Sequence, residues 1–264
     1  MGNNIQEATI ISKEKILLPW TVGLYQNIGS RKEQQDSFGK IYSIFHEKPV
    51  LLAILADGMG GMKDGAQFSR ITVNTHLEKF HSVVEKYENP VNVLLTLAHE
   101  SNLEANKIYN PDKPGGTTLI SAIFYKNYMT FLSIGDSRIN LVRNGKALQL
   151  NREHVFGSVL DERAWMGVIP HEDAEGSILR DRLISSVGEP KIRRLDIIEN
   201  PIELLPGDRI VMMSDGVYRA LTDEEIISEF CESPQKTAEK IISHVAEKAI
   251  KDQDNNTILI VEKE

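Results

Sequence analysis

Acidic residues stand at the ends of the longest apolar runs of this chain, and this pattern limits the possible folds more than any other feature. Four such pairings occur in chain order: 51–56 before Asp57, 131–135 before Asp136, 210–214 before Asp215, and Asp254 ahead of 257–261. Apolar runs of this length, without polar alternation, predict strands that are buried on both faces. We therefore expect several carboxylates to meet at one edge of a sheet.

Carboxylates gathered in this way predict a cation site, because clustered anions repel one another unless cations lie between them. Magnesium and manganese prefer oxygen ligands, and a pair of these ions can hold a phosphoryl oxygen and activate a water molecule. The predicted ligands are Asp36, Asp57, Asp215 and Asp254. Arg31 lies five residues before Asp36 and offers a planar fork that suits a phosphate group.

Glycines beside Asp57 support a close approach of backbone to an ion. Gly58 has no side chain, so its carbonyl could approach a metal, and Gly60 and Gly61 would let the chain turn away. Other chemistries lack their motifs: the histidines have no zinc-ligand spacing, no nucleotide-binding P-loop is present, and Ser137 lacks the nucleophile-elbow pattern. Water activated by a metal is the mechanism that these residues favour.

Composition restricts the partners. The net charge is −8 and there is no basic block, so nucleic acid is not an expected partner. The acidic balance repels phosphorylated substrates at long range, so a phosphate site needs local cations. A single cysteine, Cys231, cannot form an internal disulfide, and no segment approaches the roughly 20 apolar residues that span a bilayer. We expect a cytoplasmic protein without membrane insertion.

Strands and helices are predicted in blocks rather than in strict alternation. Strands are expected near 20–26, 38–45, 50–56, within 117–150 (with an Asn144-Gly145 hairpin turn), and near 182–187, 195–203, 209–214 and 256–262. The first predicted helix runs from a capping box at Asp64 and Gln67 to about Tyr87, and the second has an apolar face formed by Val91, Leu94, Leu95, Ala98 and Ala105. A third helix begins at a capping box of Thr222 and Glu225 and ends at about Phe230. A fourth begins at Ser233-Pro234 and has Ala238, Ile241, Ile242, Val245 and Ala249 on its apolar face.

Blocks of strands with paired helices predict an α+β layered domain. Residues 152–180 are polar and weakly periodic, which predicts a loop or irregular flap. With no repeat, low-complexity tract or linker in the sequence, a single domain over residues 1–264 is the simplest interpretation.

Each acidic motif alone also has an ordinary structural explanation. An Asp-Gly pair after a strand is usually a turn, Asp136 could cap a strand and pair with Arg138, and Asp254-Asn255 is most often a turn as well. Arg31 in a polar segment is ordinarily a solvated surface residue. Their order and context together make the case for a site.

Taken in order, these segments resemble the metal-dependent 2C-type protein Ser/Thr phosphatases, the PPM family, over about residues 20–262. The segments that carry the resemblance are 31–38 (RKEQQDSF), 56–61 (ADGMGG), 116–118 (GTT), 134–138 (IGDSR), 144–145 (NG), 185–188 (SSVG), 207–208 (GD), 214–216 (SDG) and 254–257 (DNNT). The short chain and the Asp-Gly-Met-Gly-Gly form look most like the bacterial branch.

The resemblance implies a four-layer α-β-β-α sandwich, with two mainly antiparallel sheets flanked by helix pairs and a mobile flap at about 152–180. It implies a dinuclear Mn²⁺ or Mg²⁺ centre in the cleft at one end. The implied roles are a bridging ligand for Asp57, a carbonyl ligand for Gly58, outer ligands for Asp215 and Asp254, a holder of metal-bound water for Asp36, phosphate binding for Arg31, and a third, weaker metal site for Asp136.

Two positions depart from the pattern of many relatives. Met59 stands where eukaryotic members carry a histidine proposed as general acid, and a thioether cannot donate that proton. Gln35 stands where some members have a glutamate that ligates the second metal, and an amide brings no charge to that site. Bacterial-type members are expected to show both departures.

The leading hypothesis is therefore a phosphatase that hydrolyses phosphoserine and phosphothreonine in proteins, with phosphoproteins made by a cognate Ser/Thr kinase as partners. Three alternatives stay open at this point. They are a catalytically inert member of the fold that binds or senses, a cation-binding structural module, and an enzyme for phosphotyrosine, phosphohistidine or a small phosphoester. The first alternative usually requires the loss of metal carboxylates, which are all present here.

Overall fold

A computed structural model describes residues 19–59 and 64–264, and within these ranges the strands form two antiparallel sheets. One sheet has the strand order β1-β12-β11-β7-β8, and the other has the order β10-β6-β5-β3-β2, with β4 paired to β3 and β9 to β6. The strands are β1 Trp20–Asn27, β2 Asp36–Phe45, β3 Lys48–Met59, β4 Gly116–Thr117, β5 Leu119–Tyr125, β6 Tyr128–Ile134, β7 Arg138–Arg143, β8 Lys146–Gln149, β9 Asp196–Ile197, β10 Ile202–Glu203, β11 Arg209–Met213 and β12 Asn256–Lys263.

Helices cover the outer faces of both sheets. They are α1 Asp64–Val84, α2 Pro90–Asn106, α3 Phe156–Trp165, α4 His171–Glu175, α5 Asp215–Tyr218, α6 Asp223–Ser228 and α7 Pro234–Glu247. One apolar cluster joins α1 and α2 to the seven-stranded sheet, a second lies between the two sheets, and a third joins α7 and α6 to the five-stranded sheet. The predicted α-β-β-α order of layers is confirmed.

The strand β3 shows why its sequence is continuously apolar. Leu51, Ala53 and Leu55 belong to the cluster between the sheets, whereas Leu52 and Ile54 belong to the cluster beneath the helices. Successive side chains of a strand point to opposite faces, and here both faces are covered. An antiparallel strand therefore carries the uninterrupted apolar run that is more usual in parallel sheets.

Both long N-terminal helices that the sequence predicts are present. Asn89 caps α2 by accepting a hydrogen bond from the Val91 backbone nitrogen. The predicted apolar face of α2 was wrong at Leu95, which is 38% exposed, because Val93 and Leu97 occupy the buried side instead. The capping box predicted at Asp64 depends on a side chain outside the described residues, as do Gly60 and Gly61.

The segment 152–180 differs from the predicted irregular flap. It contains α3 and α4, which pack on each other through a small cluster of Leu160, Ala164 and Ala174. Two short helices with one shared apolar contact leave most positions polar, so the helical period is weak in the sequence. Arg180, at the end of this segment, is joined to α3 by an ion pair with Asp161 that has two hydrogen bonds.

The strand predicted near 182–187 was also wrong. These residues instead make isolated bridges, between Val187 and Thr117 and between Leu183 and Val155. Gly188 follows with a φ of +103°, and a Cβ there would lie 2.5 Å from the Phe68 ring, so a glycine is required at this turn.

The C-terminal helices follow their capping signals. Thr222 and Glu225 form the predicted capping box of α6, and Ser233 caps α7 by accepting from the Lys236 backbone nitrogen. The predicted apolar face was wrong at Ala249, which is exposed because α7 ends at Glu247. Among the described residues, no helix combines the length and the apolar character needed to cross a membrane.

Candidate active site

Antiparallel pairing brings the predicted carboxylates to one edge of the sandwich. In the five-stranded sheet, Asp215 follows the end of β11, and Asp136 and Asp254 precede the starts of β7 and β12. Met213, at the end of β11, lies opposite Arg138 of β7 and Ile258 of β12. Neighbouring antiparallel strands end and begin at the same edge, so these three acidic residues share one end of the sheet.

The other sheet contributes a directly opposed acidic pair. Asp36 is the first residue of β2 and lies across from Asp57 near the end of β3. Opposite residues of an antiparallel pair have Cα atoms roughly 4.5–5.5 Å apart. Asp36 is 4% exposed, and Asp57 is partly exposed at the edge. Of two carboxylates held this close, one must be protonated, or the two must share a cation.

The protonation of the metal-free cluster reflects this crowding. Desolvation by the surrounding protein raises the pKa of Asp57 well above its ordinary value, and the charges of Asp36, Asp215, Asp136 and Asp254 raise it further. Burial likewise raises the pKa of Asp36 to about 6 and that of Asp136 to about 7. A bound cation would restore the charged forms at neutral pH.

Two hydroxyl groups hold Asp36 in place and join the sheets. Its Oδ2 accepts hydrogen bonds from Ser214 Oγ at 2.9 Å and from Thr257 Oγ1 at 2.6 Å. Ser214 also accepts from the Thr257 backbone nitrogen at 3.0 Å. Asp36 belongs to one sheet, while Ser214 and Thr257 belong to the other, so this network fixes the two acidic edges against each other.

A second hydroxyl network supports Asp57. The Asp57 backbone nitrogen donates to Thr118 Oγ1 at 2.9 Å, and its carbonyl accepts from the Thr118 backbone nitrogen at 2.8 Å and from Thr117 Oγ1 at 2.9 Å. Thr118 Oγ1 is also 2.8 Å from Ser137 Oγ, beside Asp136. The backbone N–H and C=O of Asp57 are therefore both hydrogen-bonded to residues 117–118, while its carboxylate lies at the acidic edge.

Arginines partner the two outermost carboxylates. Arg31 Nη2 lies 2.7 Å from Asp254 Oδ2, and Arg219 Nε lies 3.1 Å from Asp215 Oδ2. Arg219 Nη1 also reaches Asp181 at 3.4 Å, just beyond the segment 152–180. Burial, followed by the charge of Asp254, raises the pKa of Asp215, which the two arginines oppose.

The glycines after Asp57 and Asp215 serve close packing. A Cβ on Gly58 would lie 2.2 Å from the Gly65 carbonyl oxygen, and one on Gly216 would lie 2.0 Å from the Asn255 carbonyl oxygen. Each Asp-Gly glycine therefore lets another segment lie against the acidic edge. The strand β3 also continues to Met59, so Asp57-Gly58 is not a turn.

Asn255 places the loop that carries Arg31. Its side chain accepts from the Gln35 backbone nitrogen at 2.8 Å and donates to the Ile28 carbonyl at 2.8 Å. The Ser30 backbone nitrogen donates to the Gln253 carbonyl at 2.9 Å. The loop 28–35 is thus held against residues 253–255, which brings Arg31 to the acidic edge.

The donor set suits hard divalent cations, because it consists of carboxylate oxygens with no thiolate among the predicted ligands. In the described ranges, no three Asp, Glu, His or Cys side chains already surround one point at which an ion would lie. Asp36, Asp215 and Asp254 each have a hydrogen-bond or ion-pair partner within the protein. The chemistry of the donor set fits magnesium or manganese.

Sequence reasoning missed the residues that hold these carboxylates in position. They are Thr117, Thr118, Ser214, Tyr218, Arg219 and Thr257. Tyr218 donates to the Asp136 carbonyl at 3.2 Å, and the Arg138 guanidinium stacks on its ring at 3.8 Å. The available signal was the presence of hydroxyl residues at the ends of apolar runs, where a buried hydroxyl needs a partner.

Comparison with known proteins agrees with this geometry. The family model described as "Protein phosphatase 2C" matches residues 25–253. The serine/threonine phosphatase stp of Listeria welshimeri is 26% identical over 248 residues, which cover 89% of this chain and 92% of that protein.

Solved structures show the same fold. The serine/threonine phosphatase of S. agalactiae has a TM-score of 0.77 and 24% identity, covering 93% of this chain and 100% of that one. The catalytic domain of the serine/threonine phosphatase PstP, in complex with 2 manganese ions, has a TM-score of 0.71 and 24% identity, covering 92% and 97%. Because the family model matches residues 25–253, which are most of this chain, the chain belongs to the protein phosphatase 2C family.

Proposed function

We propose that this chain hydrolyses phosphoserine and phosphothreonine in proteins at the acidic edge, with Mn²⁺ or Mg²⁺ as cofactor. The observation that carries the proposal is the crowding of Asp57, whose pKa is raised by burial and by the charges of four other carboxylates. Such a cluster is costly in a metal-free protein and is explained by a cation site. The family and the manganese ions bound by PstP support the same assignment.

In this proposal Asp57 would be the ligand shared by the cations, with the Gly58 carbonyl as a further ligand. Asp215 and Asp254 would be outer ligands, Asp36 would hold an ordered water, and Asp136 would serve a third, weaker site. The cations supply Lewis acidity that activates water and neutralises phosphate charge. The hydroxyls of Ser214 and Thr257 keep Asp36 oriented toward the edge.

Arg31 is proposed to bind the phosphate of the substrate. It is half exposed and paired with Asp254. Its guanidinium can donate two parallel hydrogen bonds to phosphate oxygens.

Met59 removes a proton donor from the site, and Gln35 brings no charge to the second metal site. A thioether cannot protonate the leaving serine or threonine oxygen, so an ordered water must supply that proton. The acidic set is otherwise complete, which argues against the inert alternative.

The proposal extends to organisation and partners. We propose that residues 1–264 act as a single catalytic domain, with a core over about 20–262 and a flap over about 152–180. The cluster between the two sheets supports one shared core. Substrates would be products of a cognate Ser/Thr kinase in the cytoplasm, a setting consistent with the unpaired Cys231.

The test is hydrolysis of a phosphothreonine peptide by the purified protein with EDTA, Mg²⁺ or Mn²⁺. Wild type is expected to release phosphate only with a metal, and Asp57→Asn is expected to release none. Glu85→Gln, which removes an exposed carboxylate after α1, is the matched control and should behave as wild type. Metal-independent release, or full activity in Asp57→Asn, would contradict the proposed site.

A further inference from the structure

A cleft of about 730 Å³ opens beside the acidic edge, outside the residues assigned above. Its described walls come from four places: Met59 at the end of β3, residues 109–115 before β4, Phe156 at the start of α3, and residues 179–193 after the helices α3 and α4. This volume is in the range of sites that hold ligands of several residues or of drug size.

The cleft is continuous with the catalytic edge through backbone pairing. Met59 lies opposite Gly116, and Gly58 lies opposite Thr117. Met59 is two residues beyond Asp57, a distance of about 7 Å along a strand. A chain whose phosphorylated residue sits at Asp57 could therefore place a neighbouring residue in the cleft.

The walls of the cleft are largely apolar. Tyr109, Phe156, Leu179, Leu183 and Ile184 line it, and Leu179 is 47% exposed. An apolar side chain from a bound peptide would remove this surface from water.

The charge of the cleft is positive. Glu189 accepts from Ser186 Oγ at 2.9 Å and pairs with Arg193 at 3.5 Å, so its charge is neutralised within the wall. Arg182 is exposed, and in the described part of the chain its side chain has no ion pair or hydrogen bond. On a protein with a net charge of −8, an unpaired arginine in a cleft favours an acidic group locally.

We propose that this cleft binds the segment of a phosphoprotein substrate next to the phosphorylated residue. An apolar side chain of that segment enters the cleft, and an acidic side chain pairs with Arg182. This inference rests on the proposed phosphatase function and deepens it, since it names a substrate class: phosphoproteins with an apolar and an acidic residue flanking the phosphorylated site.

The test uses phosphothreonine peptides in an alanine background, with one Glu or one Lys at each of four positions on either side. At one position, wild type is expected to hydrolyse the Glu peptide with a kcat/KM roughly three- to fivefold above that of the Lys peptide. Arg182→Glu should reverse this preference. Arg163→Glu, which makes the same charge change on the exposed side of α3 outside the cleft, should keep it.

The apolar part of the proposal has its own comparison. At a position near the charged one, replacing Leu by Gly in the peptide is expected to lower kcat/KM by about tenfold in wild type. Leu179→Ser should reduce this difference, and because Leu179 is half exposed the variant is expected to fold.

The outcomes separate the two proposals. If no phosphopeptide is hydrolysed with any metal, the proposed function itself is wrong. If peptides are hydrolysed without preference at any position, or if Arg182→Glu slows the Glu and Lys peptides equally, the cleft is not the flanking-segment site.

Discussion

A buried or partly buried carboxylate lies at each end of the strand β11, and the two carboxylates differ in the hydrogen-bond donors and charges around them. Asp208, just before the strand, is 4% exposed and accepts from Arg143 Nε at 2.9 Å, from Arg143 Nη2 and from the Leu205 backbone nitrogen at 2.7 Å. Asp215, just after the strand, shares one half-exposed arginine and faces other carboxylates. Donors within the protein therefore satisfy the charge of Asp208, whereas the charge of Asp215 requires a cation.

This contrast separates a structural carboxylate from a functional one. A buried charge with a full set of donors is compatible with the fold, and removing one partner of such a pair is costly. A group of carboxylates with too few donors lowers the stability of the metal-free fold, and binding of a cation offsets that cost. The same type of residue thus has opposite effects at the two ends of one strand.

Activity should show the largest difference between the two ends. Asp215→Asn is expected to lower kcat/KM on a phosphothreonine peptide by roughly a thousandfold, because a proposed ligand loses its charge. Asp208→Asn should stay within about threefold of wild type per folded molecule, since it lies far from the edge. Steady-state kinetics with saturating Mn²⁺ provides the measurement, and similar losses in both variants would break the distinction.

Stability should show the reverse order. Asp208→Asn is expected to lower the free energy of unfolding by about 1–2 kcal/mol, because the buried side chain loses one of the two oxygens that accept hydrogen bonds from Arg143 and Leu205. Asp57→Asn should raise the metal-free stability, by about 1 kcal/mol, because it relieves repulsion within the cluster. Urea unfolding in EDTA measures both values. A destabilised Asp57→Asn would show that this carboxylate has a structural role like that of Asp208.

The pH dependence of metal-free stability sharpens the comparison further. Burial raises the pKa of Asp36 from 3.8 to about 6, so the folded state binds this proton more tightly than the unfolded state does. The stabilisation is fully present below pH 3.8 and is lost as the pH rises through about 6. Relative to Asp36→Asn, wild type should therefore lose about 1 kcal/mol per pH unit across this window.

Urea unfolding in EDTA between pH 4 and 6 follows this difference, with Glu85→Gln as the control that keeps the wild-type slope. Parallel pH curves for wild type and Asp36→Asn would mean that Asp36 is satisfied within the metal-free protein, as Asp208 is.

The smallest effect is expected at an exposed ion pair near the same edge. Asp181 and Arg219 are 3.4 Å apart, with side-chain exposures of 78% and 46%. Solvent screens this contact, so Asp181→Asn should change the free energy of unfolding by less than about 0.5 kcal/mol. Urea unfolding measures it, and a loss above about 1 kcal/mol would show that the pair fastens the 152–180 segment to α5.

Much of this architecture could be predicted from the sequence because its signals are local. The runs before Asp57 and Asp215 identified buried strands, and the capping box at Thr222 identified the start of α6. The acidic edge followed from the ends of those runs. The layered fold itself came from the family resemblance and from the block order of strands and helices, and both sheets confirm it.

The missed features depend on contacts between distant residues. Ser214 and Thr257 act by bonding to Asp36, which is 178 and 221 residues away, so no local pattern marks them. The helices α3 and α4 share a cluster of only three buried apolar residues, which is too few to produce a clear period. The glycine at 58 was explained by metal access, whereas the structure shows that packing against Gly65 also requires it.

Direct measurement of Mn²⁺ binding tests the central claim, that the unsatisfied end of β11 is a cation site. Equilibrium dialysis with elemental analysis would compare wild type, Asp57→Asn and Asp208→Asn. We predict two ions per wild-type chain, loss of binding in Asp57→Asn, and wild-type binding by folded Asp208→Asn. If wild type binds no manganese, or if Asp57→Asn binds as much as wild type, the acidic edge is not the metal centre.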